Sequence, residues 1–239
     1  NLTPTLNSKK NLMDEGVDSD KLFYVGNTIV DSLKWMTSKI EKKEIEIDNV
    51  LRQQVENFKS AGNKIVAVTL HRREGFGDCL KSACIAIKDF IKSNPDVVVI
   101  YPRHPNPGVS SLSEWLGENE LPGQIKVVKA LSYENMVYLL SQSAFIITDS
   151  GGVQEEAVSL GKFVICIREQ TERQEGVEAG LVKVVGFDEN KIKRAMAYFH
   201  RKLKTNDCEH REAPESANTF GDGFASERIV RILRSKLEI

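Results

Sequence analysis

Six short runs of β-branched and other apolar residues, separated by longer amphipathic stretches, limit the fold of this chain more than any other feature. They are KIVAVTL (64–70), VVVIYP (97–102), IKVVK (125–129), AFIIT (144–148), FVICI (163–167) and LVKVVG (181–186). Each is apolar almost without interruption, so each strand needs cover on both faces. Between and after them the periodicity predicts helices near 76–93, 110–117, 133–143, 152–160 and 188–204. In the first of these, Leu80, Cys84, Ile87 and Ile91 share one stripe. Strands alternating with helices imply a parallel sheet joined by right-handed crossovers, a doubly wound Rossmann-like α/β domain.

The two ends extend beyond that domain. Residues 1–40 predict a helix (8–15), a strand (LFYVGN, 22–27) and a helix (28–40), and the charged stretch 41–60 predicts another. At the far end NTFGDG (218–223) precedes an amphipathic helix, FASERIVRILRSKL. No internal repeat or low-complexity tract occurs. With 239 residues, 41% of them hydrophobic, the chain can bury a core without staples. A net charge of −1 gives no electrostatic reason to expect nucleic acid or a membrane surface as partner. No apolar run reaches ~18 residues and no secretory leader is visible. Cys79, Cys84, Cys166 and Cys208 lack metal-like spacing, and Cys84 and Cys166 sit in apolar runs. A reducing, cytoplasmic setting is the expectation. The chain opens on Asn1 rather than Met, which raises the expectation of a longer polypeptide.

Ligands of such sheets bind beyond the carboxyl ends of the strands. Four polar clusters fall there: His71 to Glu74, Arg103-His104-Pro105, Asp149 to Gly152, and Arg168 to Glu175. The third is the most informative. In AFIITDSGGVQEEAVSLG (144–161) a strand runs into a Ser-Gly-Gly turn that opens a helix. The N–H groups of Ser150, Gly151 and Gly152 then lie at a helix N-terminus, where donors lack partners and the helix dipole favours an anion. Gly151 and Gly152 carry no Cβ to hold a pyrophosphate off the main chain. Glu156, one turn on, can accept hydrogen bonds from ribose hydroxyls. The same residues would also serve as an ordinary N-cap turn.

His71, crowded by Arg72, Arg73 and Glu74, suits donation to a phosphate or proton transfer. Arg173 lies in the polar loop REQTERQEGVEAG and can neutralise a diphosphate, or else pair with Glu172 or Glu175. His104, in the rigid PRHPNP loop, is a ligand contact or a helix-capping residue. His200 and His210 read as solvent-facing. Ser150 lacks a nucleophile elbow, and zinc spacing, a Walker loop and GxGxxG after the first strand are all absent from the sequence, so no cofactor is expected.

VGNTIVDSL (25–33), HRREGFG (71–77), YPRHPNP (101–107), TDSGGVQEEAVSLGK (148–162), TERQEGVEAG (171–180) and FGDGFAS (220–226) occur in a fixed order. Together they closely resemble UDP-N-acetylglucosamine 2-epimerases of the bacterial, non-hydrolysing type, over nearly the whole chain. The resemblance implies a GT-B-like fold, two Rossmann-like domains across a cleft. This chain would be the UDP-binding second half: 1–27 the tail of the first domain and hinge, 28–215 the Rossmann-like domain, 216–239 a helix crossing back. It implies that Ser150, Gly151 and Gly152 hold the diphosphate, Glu156 the ribose, and Arg173 the nucleotide sugar. It places His71, as a catalytic residue, at the phosphate and reacting sugar, and Leu131 and Met136 about the uracil. Residues matching Arg72 and His104 help hold a second, regulatory UDP-GlcNAc in the family.

The implied reaction inverts C2, converting UDP-GlcNAc to UDP-ManNAc by elimination of UDP to a 2-acetamidoglucal and re-addition. The family's catalytic carboxylates lie in the amino-terminal domain, so the chain alone would bind UDP and turn nothing over. A homodimer is implied for the full-length protein. Gln174 and Phe163 stand where the family usually has Pro, and Thr219-Phe220 where it has Pro-Tyr. A GT-B glycosyltransferase domain and a non-catalytic nucleotide-sugar-binding module or split-gene remnant stay open. So does a hydrolysing relative, which makes free ManNAc.

Overall fold

A computed structural model describes residues 1–71, 78–103, 116, 121, 123–204 and 218–237. The helix expected over 110–117, apart from Leu116, and Arg72, Arg73, Glu74, His104, Cys208 and His210, lie outside the described residues. The other expected elements form, most with ends displaced by a residue or two; the helix expected over 41–60 begins only at Asn49, and the strand expected over 22–27 shortens to Phe23–Tyr24. A two-residue strand β1 (Leu2–Thr3) leads into helix α1 (Leu6–Asp14), strand β2 (Phe23–Tyr24) and helices α2 (Thr28–Glu41) and α3 (Asn49–Ser60). The main domain follows as β3 (Lys64–Thr69), α4 (Asp78–Lys92), β4 (Val97–Pro102), β5 (Ile125–Val128), α5 (Tyr133–Gln142) and β6 (Phe145–Thr148). It continues as α6 (Gly151–Ser159), β7 (Phe163–Cys166), α7 (Gln174–Glu178), β8 (Val182–Val184) and α8 (Glu189–Lys204), and α9 (Ala225–Leu237) closes the series. The short β1 and α7 are not legible in the sequence; α7 interrupts what reads as a continuous polar loop.

β3 to β8 form one parallel sheet in the order β5-β4-β3-β6-β7-β8. The chain therefore builds outward from β3 in one direction, returns, and builds outward from β6 in the other. Where the order reverses, the connections leave β3 and β6 on opposite faces and open a crevice beyond their carboxyl ends. α4 and α8 pack together on one side, while α2, α3, α5 and α6 associate on the other. The strands are buried almost throughout, including Ile65 to Val68, Val97 to Tyr101, Phe145 to Ile147 and Phe163 to Ile167. Cys84 and Cys166 are core residues, as their apolar runs indicate.

His200 corrects the sequence expectation. It is 4% exposed rather than solvent-facing. On α8 it follows Met196 by one helical turn, so it falls on the stripe that faces the sheet domain. There it meets Phe90 edge-on, and its Nε2 lies 2.8 Å from Asp96 Oδ2. Burial works to raise the Asp96 pKa, but the hydrogen bond and charge of His200, with Lys204, outweigh it and hold Asp96 below its ordinary value.

The ends meet on α2. Asp31 accepts hydrogen bonds from Ala225 N (3.1 Å) and Ser226 N (2.7 Å), so a side chain on α2 caps α9. Asn27 N donates to Phe220 O at 3.0 Å and Arg228 reaches Val25 O at 3.1 Å. β1 and β2 pair in parallel as a separate two-stranded sheet.

Candidate functional site

The switch point brings together the carboxyl ends of β3 and β6. Their last residues, Thr69 and Thr148, are register partners joined through their hydroxyls at 2.7 Å, a buried cross-strand bond. The Thr148 hydroxyl also accepts from Ser150 N at 3.0 Å, fixing the exit of β6. Beyond it Asp149 is 3% exposed and accepts from His71 N at 2.8 Å. His71 Nδ1 lies 3.3 Å from the other Asp149 oxygen. His71 and the Ser-Gly-Gly turn, 78 residues apart in sequence at their Asp149 link, thus share one edge.

Ser150 is the N-cap of α6, its hydroxyl accepting from Val153 N at 3.4 Å. Because Ser150 N is already bonded, the N–H groups of Gly151 and Gly152 are the donors with no partner among the described residues. The two glycines differ in what surrounds them. A Cβ on Gly151 would stand 2.9 Å from Arg173 Cζ, so the guanidinium sits against this glycine. A Cβ on Gly152 would meet nothing closer than Ile29 Cδ1 at 3.7 Å, an ordinary contact. A side chain at Gly151 would therefore force the Arg173 guanidinium to shift, whereas one at Gly152 would not.

Arg173 is placed by Glu172, which the sequence offers as a partner, and by Glu155, which sequence reasoning passes over. Its Nε donates to Glu155 Oε1 at 2.9 Å and its Nη1 to Glu172 at 3.2 Å. Glu172 in turn takes a two-pronged bond from Arg168, at 3.0 and 3.1 Å, which draws its carboxyl down to about 2. The ion pair with Glu172 weighed from the sequence therefore forms, and a second with Glu155 orients the guanidinium over the helix mouth. The backbone beneath is fixed by Thr171, whose hydroxyl accepts from Arg173 N at 3.1 Å and donates to Gln154 Oε1 at 2.8 Å. Gln154 is fully buried and reaches back to Ser150 O at 3.2 Å. The signal was present in the pattern: Gln154 stands one turn after Ser150, a polar side chain on the buried phase of a helix.

Glu156 is the complement of that arrangement. It is 7% exposed and has no hydrogen-bond partner among the described residues. Burial, with the Glu155 charge behind it, pushes its carboxyl up to about 7. Its charge is felt by Tyr133, whose phenol is raised to about 12 mainly by burial. Its oxygens are not sealed from solvent, and with no protein donor on them they stay open to any ligand that supplies donors. A pair of vicinal hydroxyls would do so. Leu131 and Met136 are partly buried against the core at the start of α5. Leu131 lines a cavity of about 430 Å³ with Leu51, Gln54, Val127 and Val128, whereas Met136 is not among its lining residues. Among the described residues no group of three or more His, Cys, Asp or Glu side chains could hold a metal ion, and no helix is long and apolar enough to cross a membrane.

A family model described as UDP-N-acetylglucosamine 2-epimerase matches residues 1–234. The chain belongs to this family. Its curated relatives include the UDP-N-acetylglucosamine 2-epimerase of Campylobacter jejuni, 42% identical over 232 residues, which cover 97% of this chain and 59% of that protein. Among solved structures, the Neisseria meningitidis UDP-GlcNAc 2-epimerase bound to UDP-GlcNAc aligns with a TM-score of 0.80 at 33% identity, covering 98% of this chain and 61% of that one. The S. aureus MnaA–UDP co-structure aligns with a TM-score of 0.82 at 30% identity, covering 99% of this chain and 60% of that one. The doubly wound, GT-B-like architecture expected from the sequence is thus the architecture of the epimerase family. The chain spans about 60% of the length of the curated relatives it matches.

Proposed function

We propose that this chain carries the UDP-binding half of an enzyme that converts UDP-GlcNAc to UDP-ManNAc. The observation that carries the reading is the mouth of α6. Two unpartnered glycine N–H groups, a guanidinium held against Gly151 and an unpaired buried Glu156 converge there at the sheet's switch point. The diphosphate would lie between the Gly151 and Gly152 amides and Arg173, and Glu156 would take the ribose hydroxyls. Leu131 and Met136 would flank the uracil. In the elimination the C2 proton leaves while the C1–O bond to UDP breaks, so negative charge grows on the diphosphate. Fixed amide dipoles, Arg173 and His71 favour that departure.

The carboxylates that move protons at C2 and C3 would belong to the remainder of a longer polypeptide, with 1–27 and 216–239 as the parts that pack against it. A second UDP-GlcNAc at Arg72 and His104, a homodimer and a cytoplasmic setting complete the proposal. Calorimetric titration with UDP tests the core of it. UDP should bind the wild-type chain and neither Gly151→Val nor Glu156→Ala should bind comparably, while UDP-GlcNAc incubated with the chain alone should show no ManNAc epimer by proton NMR. UDP binding that is unchanged in both variants would refute the site.

A further inference from the structure

The opposite edge of the sheet, at the amino ends of β3, β6 and β7, holds a cavity of about 500 Å³ whose chemistry the nucleotide site does not use. Its wall contains Lys59, Lys64 and Lys162 and, among the described residues, no acidic side chain. Polar groups of Asn63, Gln142 and Ser143 complete it, with Phe163 and Leu203 as apolar floor. Lys59 donates to Gln142 Oε1 at 2.6 Å, which keeps its amine at this wall.

Lys162 owes its place to the end of α6. Gly161 turns the chain at φ +70°, with Gly161 N bonded to Val158 O and Lys162 N to Ala157 O, both at 2.9 Å. This left-handed cap is a fixed geometry, so Lys162 enters the cavity wall on a rigid backbone. The amine has no hydrogen-bond or ion-pair partner among the described residues. Burial and the like charge of Lys59 bring its pKa down to about 8. Glu41 borders an adjoining cavity that Lys162 also touches, but the charge acting on Lys162 is that of Lys59. α3, α5 and α6 all end beside this cavity, and their carbonyl ends attract lysines. That attraction is partial charge only, and it leaves a half-buried ammonium with a second, exposed ammonium close enough to act on it, an arrangement that an anion would relieve.

The geometry points to an anion-binding site in this cavity, in which Lys162 and Lys59 hold the phosphoryl group of inorganic phosphate or of a small phosphomonoester. The volume left beyond one phosphate admits a sugar-sized remainder.

Thermal melts of the chain at constant ionic strength, with phosphate replacing chloride, are the test. Phosphate should raise the melting temperature saturably, and the Lys162 ¹³Cε resonance should titrate at higher pH in its presence. Lys162→Met and Lys59→Met should each weaken phosphate about tenfold or more while leaving the response to UDP intact. Gly151→Val should do the reverse, so failure of this site and failure of the nucleotide site are separable. Glucose 6-phosphate stabilising more than phosphate identifies a phosphomonoester, and equal effects identify the free ion. No saturable response beyond chloride, or one that survives both lysine substitutions, overturns the assignment.

Discussion

In the six-stranded sheet Ile146, Ile147, Val164 and Ile165 are fully buried, whereas on α1 and α9 Leu6 is 66% and Leu233 45% exposed, with Met13 and Val230 also exposed. α1 has no buried residue at all. Both regions have helices capped by side chains and strands in register, yet only the first uses its apolar residues on itself. The sheet domain holds together by burial. The flank built from β1, α1, β2 and α9 adds few buried apolar residues, Leu22, Val25 and Ala225 among them, and is tied to α2 through Asp31 at the start of α9. Regular secondary structure is therefore no measure of how much a segment contributes to stability. What differs is the apolar surface removed from water.

The largest effect should come from the sheet. Ile147→Ala in β6 should cost about 2–5 kcal/mol in urea unfolding, against about 0.5 kcal/mol or less for Met13→Ala on α1. Comparable losses at the two positions would erase the distinction between the regions. Next, Gly151→Val should weaken UDP by about 100-fold or more, because the branched side chain would displace Arg173 from 2.9 Å away. A circular dichroism melt near that of wild type would show that the site, and not the domain, was lost.

Glu156 sharpens the comparison through pH. Its carboxyl is raised from 4.5 to about 7 in the folded state, so the native chain binds the proton more tightly than the unfolded one. The associated stability is fully present below about 4.5 and is lost as pH rises through about 7. Glu156→Gln should abolish that decline, making the variant more stable than wild type at pH 8 by on the order of 1–3 kcal/mol. Urea melts at pH 5 and 8 would show it, and parallel profiles for the two proteins would mean that Glu156 ionises as freely as an exposed carboxylate. The smallest effect belongs to the flank. Asp31→Ala removes the α9 cap and should cost about 1 kcal/mol. It should be visible as faster amide exchange across 225–237 with exchange in β3 and β6 unchanged.

Much of this was legible beforehand, for identifiable reasons. A fully buried parallel strand has to be apolar on both faces, so the six runs announce themselves as sheet. A helix that begins at a Ser-Gly-Gly turn must leave amides uncovered, so the location of the candidate site can be read as well. His200 was misplaced because its polarity and charged neighbours outweighed its helical phase, which puts it one turn after Met196. α7 was hidden because a five-residue helix shows too little periodicity to separate it from a loop.

The sequence by itself determined the elements, the parallel doubly wound sheet, the family and the mouth of α6, because each is encoded in short runs of consecutive residues and the order of those runs. Tertiary structure alone decided which polar residues act as a unit. Only the fold seats Arg173 against Gly151, clamps it with Glu155, ties Thr171 to Gln154 and leaves Glu156 without a donor. It also gathers Lys59 and Lys162 from two separate helix ends around one cavity. The physical reason is that hydrogen bonds and charges act over a few ångströms, and residues that far apart in sequence come within that range only once the sheet has set the strand order.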